Sequence, residues 1–139
     1  MMIDEEINQL ETFSLEGDYL ARLRQLTDHI LLSPEKARAL DPMLALLARY
    51  PNEDFGAPGP LVHAIEKCSD YERALFEYVE KSPTTTFVWM LRRLFNRSSD
   101  KAIRDRCKFL LEKIAGNQDV DDQIREDATI CLQWLDDAR

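Results

Sequence analysis

Residues 83–95, PTTTFVWMLRRLF, form the most apolar helical stretch in the chain. Val88, Leu91 and Phe95 follow the i, i+3, i+7 spacing of one helix face, Phe87 and Leu94 widen that face, and Trp89 and Met90 project to the other side. A helix at the edge of a fold keeps one face wet, so apolar residues over most of the circumference require neighbours on two sides. Ser82-Pro83 and three threonines punctuate its start, and Asn96-Arg97-Ser98-Ser99 stops it. Trp89 and Leu91 are therefore expected in the core.

The other segments read as amphipathic layers around this helix. Ile3, Ile7 and Leu10 mark a short first helix, and Tyr19, Leu23, Leu26 and Ile30 a second that Asp18 can cap. Ser33-Pro34 opens a third, with Ala37, Leu40, Leu44 and Leu47 in register, and Asp41-Pro42 inside it predicts a kink or two abutting helices. Residues 51–60, PNEDFGAPGP, hold three of the six prolines and two of the four glycines. This loop divides the chain into two helical halves, and Phe55 within it is expected to pack down. Leu61, Ile65 and Cys68 then face inward on a helix whose other side carries His63, Glu66 and Lys67. Asp70 is expected to cap the next helix (Tyr71, Leu75, Tyr78, Val79 inward) and Ser98 or Ser99 the one after the apolar stretch (Ile103, Cys107, Leu110, Ile114 inward). A last helix spans about 119–137 with Ile124, Ala128, Cys131, Leu132 and Leu135 inward. The expected fold is all-α: about eight antiparallel helices stacked as a HEAT-like, α-solenoid-type single domain over residues 1–139.

The formal net charge is −8, and it is unevenly placed. Residues 1–16 carry −5, 51–81 carry −4 and 117–139 carry −5, whereas 82–116 carry +5. Such acidity disfavours general nucleic-acid or anionic-membrane binding and steers the chain toward a basic partner. No apolar run is long enough to span a membrane and the first residues are acidic, so a cytoplasmic location is expected. Cys68, Cys107 and Cys131 lack metal-ligand spacing and fall within apolar stripes, which reads as buried reduced thiols.

Neither a nucleophile with its base, nor a metal set, nor a phosphate-cradling loop can be assembled from the spacings, so no catalytic residue, metal ligand or cofactor is expected. His63 with Glu66 could orient an imidazole, but a surface or interhelical hydrogen bond is the commoner meaning of that spacing. Arg92, Arg93, Arg97, Arg104 and Arg106 could contact phosphates, yet balancing the flanking acidic helices is the simpler role.

The segment from Phe55 to Asn96, about a third of the chain, resembles a family of small bacterial helical proteins: immunity proteins of polymorphic toxin and contact-dependent growth inhibition systems. The resemblance lies in the G-x-P-G-P-L-V-H run at Gly56–His63, the tyrosine after a turn at Tyr71, and S-P-T followed by V-W-M-L between Ser82 and Leu91. Arg92-Arg93 stands where such proteins often have Asn-Arg. The resemblance implies tight binding to a cognate toxin C-terminal domain, frequently a nuclease. Acidity points the same way, because an inhibitor that covers a phosphate-binding surface should present carboxylates to its Lys and Arg. The expected toxin interface is Asp121, Asp122, Glu126 and Asp127 on the last helix, with Glu53 and Asp54 in the central loop. The alternatives are a helical-repeat adaptor with no toxin partner and a nucleic-acid-binding protein using the basic 92–113 face.

Overall fold

The apolar stretch is a helix with its expected start. In a computed structural model of the chain, which describes residues 3–56 and 58–135, Thr84 is the N-cap and its Oγ1 accepts from the Phe87 N–H at 3.0 Å. Regular structure among the described residues is entirely helical: α1 (Asp4–Glu11), α2 (Tyr19–Leu32), a 3-10 turn (Lys36–Ala39), α3 (Leu40–Arg49), α4 (Gly59–Glu66), α5 (Tyr71–Lys81), α6 (Thr85–Arg97), α7 (Lys101–Ala115) and α8 (Asp122–Gln133). No helix among these residues is long and apolar enough to cross a membrane.

Helix α6 packs against α5, α7 and α8, which supplies neighbours on more than one side. Phe87, Val88, Met90, Leu91, Leu94 and Phe95 are all buried. Trp89 is not: it lies half-buried at the surface, against the expectation of a core tryptophan. The stripe that stays wet runs through positions 89, 92, 93 and 96, and Trp89 shares it with Arg92, Arg93 and Asn96.

Elsewhere the packing follows chain order. Helix α1 touches α2 and α3, α2 also meets α4, α3 meets α4 and α5, α5 meets α6 and α7, and α8 closes on α6 and α7. The buried apolar residues form one cluster reaching from Ile3 to Cys131. The expected break at Asp41-Pro42 is not at that step: the 3-10 turn meets α3 at Ala39–Leu40, and Asp41 and Pro42 lie inside the first turn of α3, where a missing N–H has no intrahelical acceptor to disappoint.

Several helix boundaries differ from expectation for local reasons. Asp70 precedes α5 in left-handed geometry (φ 59°) and its side chain makes no cap bond. Neither does that of Asp18 at the start of α2. Asp100, not Ser98 or Ser99, caps α7, accepting from the N–H groups of Ala102 and Ile103, while Ser98 Oγ accepts from the Asp100 N–H. Helix α8 is shorter than 119–137: Asp121 caps it and it ends at Gln133, and residues 136–137 lie outside the described part.

Candidate interaction surface

The three threonines at the start of α6 do more than begin a helix. The Thr85 N–H donates to the Pro51 carbonyl (2.8 Å), Thr86 Oγ1 donates to the Glu53 carbonyl (2.9 Å), and Thr85 Oγ1 donates to Asp127 Oδ2 (3.1 Å). The central loop and α8 are thereby both tied to one helix end. Asn52 Nδ2 closes the triangle by donating to Asp121 Oδ1 at 3.4 Å. Two acid-bearing segments far apart in sequence are thus linked.

Phe55 fixes the loop. It is fully buried, with the rings of Tyr19 and Tyr50 edge-on at 6.3 and 6.2 Å. Its φ of 54° is rare for a bulky residue, so packing holds a conformation that the backbone alone would not choose. Asp54 Oδ1 accepts from the Gly56 N–H (3.0 Å), and Gly56 is required as glycine: at φ 103° a Cβ would stand 3.0 Å from Gly59 Cα. Tyr19 Oη donates to Glu53 Oε1 at 2.7 Å.

Of the expected interface residues, Asp54, Asp121, Asp122 and Glu126 are exposed, and Glu53 is half-buried under its bond from Tyr19. Asp122 pairs with Arg125. Asp127 requires a correction, since it is only 7% exposed, accepts from Gln123 Nε2 and Thr85 Oγ1, and cannot present its carboxylate outward. It lies three residues after Ile124 and one before Ala128, inside the apolar stripe, and it places a negative charge at the positive end of α6.

The arginines resolve mostly into internal partners. Arg93 grips Glu66 with Nε and Nη2, both at 2.8 Å, and Arg97 reaches the same carboxylate at 3.3 Å. Glu66, read from sequence as an outward residue, has a side chain only 6% exposed. His63 is exposed and its Nδ1 stands 3.9 Å from a carboxylate already held by arginine, which leaves it a surface histidine. Arg106 pairs with Glu80, and Arg104 donates to the Phe95 carbonyl at 2.7 Å while stacking on the Phe95 ring. Arg92 differs: its guanidinium lies 5.8 Å from the Trp89 ring centre, and its Nε is buried with no acceptor among the described residues.

Beside these groups a groove of about 450 Å³ opens between α6 and the loop–α4 segment. Trp89, Met90, Arg92 and Arg93 form one wall and Asp54, Pro58 and Val62 the other, with Thr86 at its end. The signal for it in the sequence was an aromatic residue on an otherwise polar helical stripe.

The described residues hold no cluster of three or more His, Cys, Asp or Glu side chains with metal-binding geometry. Cys68, Cys107 and Cys131 are buried and unbridged. Burial pushes the Cys107 and Cys131 thiols up to about 12, and does the same to the Tyr71 phenol. A group whose folded pKa is raised favours the fold fully below its ordinary value and loses that contribution as pH rises through the folded value. Thermal stability should therefore fall steadily from about pH 9 to about pH 12, and Cys107→Ala should flatten that decline. Melting curves followed by circular dichroism test this, and an identical alkaline limb in wild type and variant would contradict it.

No family model matches the chain, and neither does any curated protein or any solved structure.

Proposed function

We propose that the chain is an immunity-type inhibitor: it binds a basic, nucleic-acid-cleaving toxin domain in the cytoplasm and covers that domain's phosphate-binding surface. The observation that supports this reading is the convergence of the loop and α8 on the start of α6, since the loop carries exposed Asp54 beside half-buried Glu53 and α8 begins with exposed Asp121, Asp122 and Glu126. Carboxylates grouped in this way raise the encounter rate with a cationic surface and repel phosphate backbones. Helix contacts that join elements one or two places apart support a HEAT-like stack as the scaffold, with the acidic ridge on its side. The chain itself performs no catalysis in this role; it acts by occupation.

Charge reversal tests the proposal. Asp122→Lys with Glu126→Lys alters two exposed positions and leaves the Asp121 cap intact. The double variant should slow association with a nuclease domain encoded beside it about tenfold at low salt and flatten the salt dependence, with melting temperature nearly unchanged. Undiminished cleavage by that domain in the presence of an equimolar amount of the unaltered protein would overturn the proposal.

A further inference from the structure

We infer that the groove between α5 and α7 is a docking site for a basic amphipathic helix of a protein partner. It is built from elements other than the acidic loop and α8.

The groove encloses about 460 Å³. Its α5 side is the stripe Arg73, Phe76, Glu77 and Glu80, one helix face at i, i+3, i+4 and i+7, and its α7 side is Ile103 and Arg106. Helix α5 runs for 11 residues, about 16 Å of axis, which gives room for about three turns of a helix laid alongside it. The apolar part of the lining is open to solvent. Phe76 lies off the inner stripe of Tyr71, Leu75 and Val79 and is only half-buried, as is Ile103. Phe109, nearly one turn beyond Arg106, is 52% exposed, and the Arg106 guanidinium lies 5.6 Å from its ring centre, so the apolar strip continues past Arg106.

Charge and backbone chemistry select the occupant. Glu80 is spent on Arg106. Asp70, Glu72 and Glu77 complete the acidic lining and make no ion pair with any described residue, and the Asp70 side chain does not cap α5, so three uncommitted carboxylates stand against one uncommitted cation, Arg73. Cations are attracted to such a lining, whereas phosphates and a second copy with its net −8 are repelled. The walls are helices whose backbone groups are bonded internally, so an extended segment would find no partners for its N–H and C=O groups there, whereas a helix satisfies its own. An amphipathic helix sets its apolar stripe on Phe76, Ile103 and Phe109 while Lys and Arg on its flanks reach the carboxylates.

Fluorescently labelled peptides of about sixteen residues, long enough to form a helix on binding, provide the test by anisotropy. The first has Leu at i, i+3, i+4 and i+7 and Lys or Arg elsewhere, the second has the same composition scrambled to break that stripe, and the third replaces every cation with Glu. The first should bind the full chain saturably, and the second and third at least about tenfold more weakly. Glu72→Lys with Glu77→Lys should weaken the first about tenfold, and Phe109→Ser, a change at an exposed position, at least about threefold with melting temperature unchanged. Asp122→Lys with Glu126→Lys, on α8, should leave that affinity within about twofold. Equal binding of the first and second peptides, or equal weakening by the two charge-reversal pairs, would reduce the effect to general attraction by an acidic chain and overturn the inference. Concentration-dependent self-association in sedimentation, abolished by Phe109→Ser, would assign the groove to a second copy and overturn it as well.

Discussion

Phe55→Ala is expected to lower the free energy of unfolding by about 3–5 kcal/mol, a core-sized loss from a loop residue. The side chain is fully buried between Tyr19 and Tyr50, and alanine would leave a cavity while keeping the cost of a positive φ. The same change should loosen Asp54 and Glu53, because the loop's remaining ties to α6 are two hydrogen bonds, from the Thr85 N–H and Thr86 Oγ1. Phe55→Leu, closer in volume, should recover most of the stability. Urea titration measures both variants, and a loss under about 1 kcal/mol for Phe55→Ala would mean that the ring does not hold the loop.

Glu66→Ala should have the next largest effect, about 2–3 kcal/mol. Its nearly buried carboxylate accepts two bonds from Arg93 on α6 and faces Arg97 as well, so truncation removes the counter-charge from both arginines. The figure is set below that of a fully buried pair because the Arg93 and Arg97 side chains keep 34% and 53% of their exposure and can rehydrate. Arg93→Lys tests the geometry separately, since an ammonium cannot reproduce the fork, and should cost less than Glu66→Ala. A denaturation midpoint for Glu66→Ala equal to wild type would show that the ion pair joining α4 to α6 adds nothing to stability.

The fold was legible wherever apolar residues repeat at helical spacing over several turns. The stripe Ile103, Cys107, Leu110, Ile114 is realised as the inner side of α7, although Ile103 is only partly covered. Periodicity fails for a polar residue on the apolar stripe or an apolar residue on the polar one. Asp127 is of the first kind: its charge suggested solvent, whereas its spacing from Ile124 and Cys131 put it inside. Trp89 is of the second, its size suggesting the core while its stripe contains Arg92, Arg93 and Asn96. Caps misled differently. An aspartate before a helix can adopt left-handed geometry and leave its carboxylate free, as Asp70 does, and residue type alone does not distinguish that from the bond Asp100 makes. The meeting of the 51–58 loop with α8 was invisible, because it depends on hydrogen bonds across 69 and 42 positions that no local pattern encodes.

Those two long-range bonds also set an order of assembly. Extensive helix contacts in this chain join elements only one or two places apart, so each new helix closes a short loop and little chain entropy is lost at each step. The Asn52–Asp121 and Thr85–Asp127 links are different, for they require the loop, α6 and α8 to be in place together. The carboxylates of the loop and of α8 accordingly take their mutual spacing only once α8 has packed. Under the proposed function, competence to hold a partner would then depend on α8 being packed.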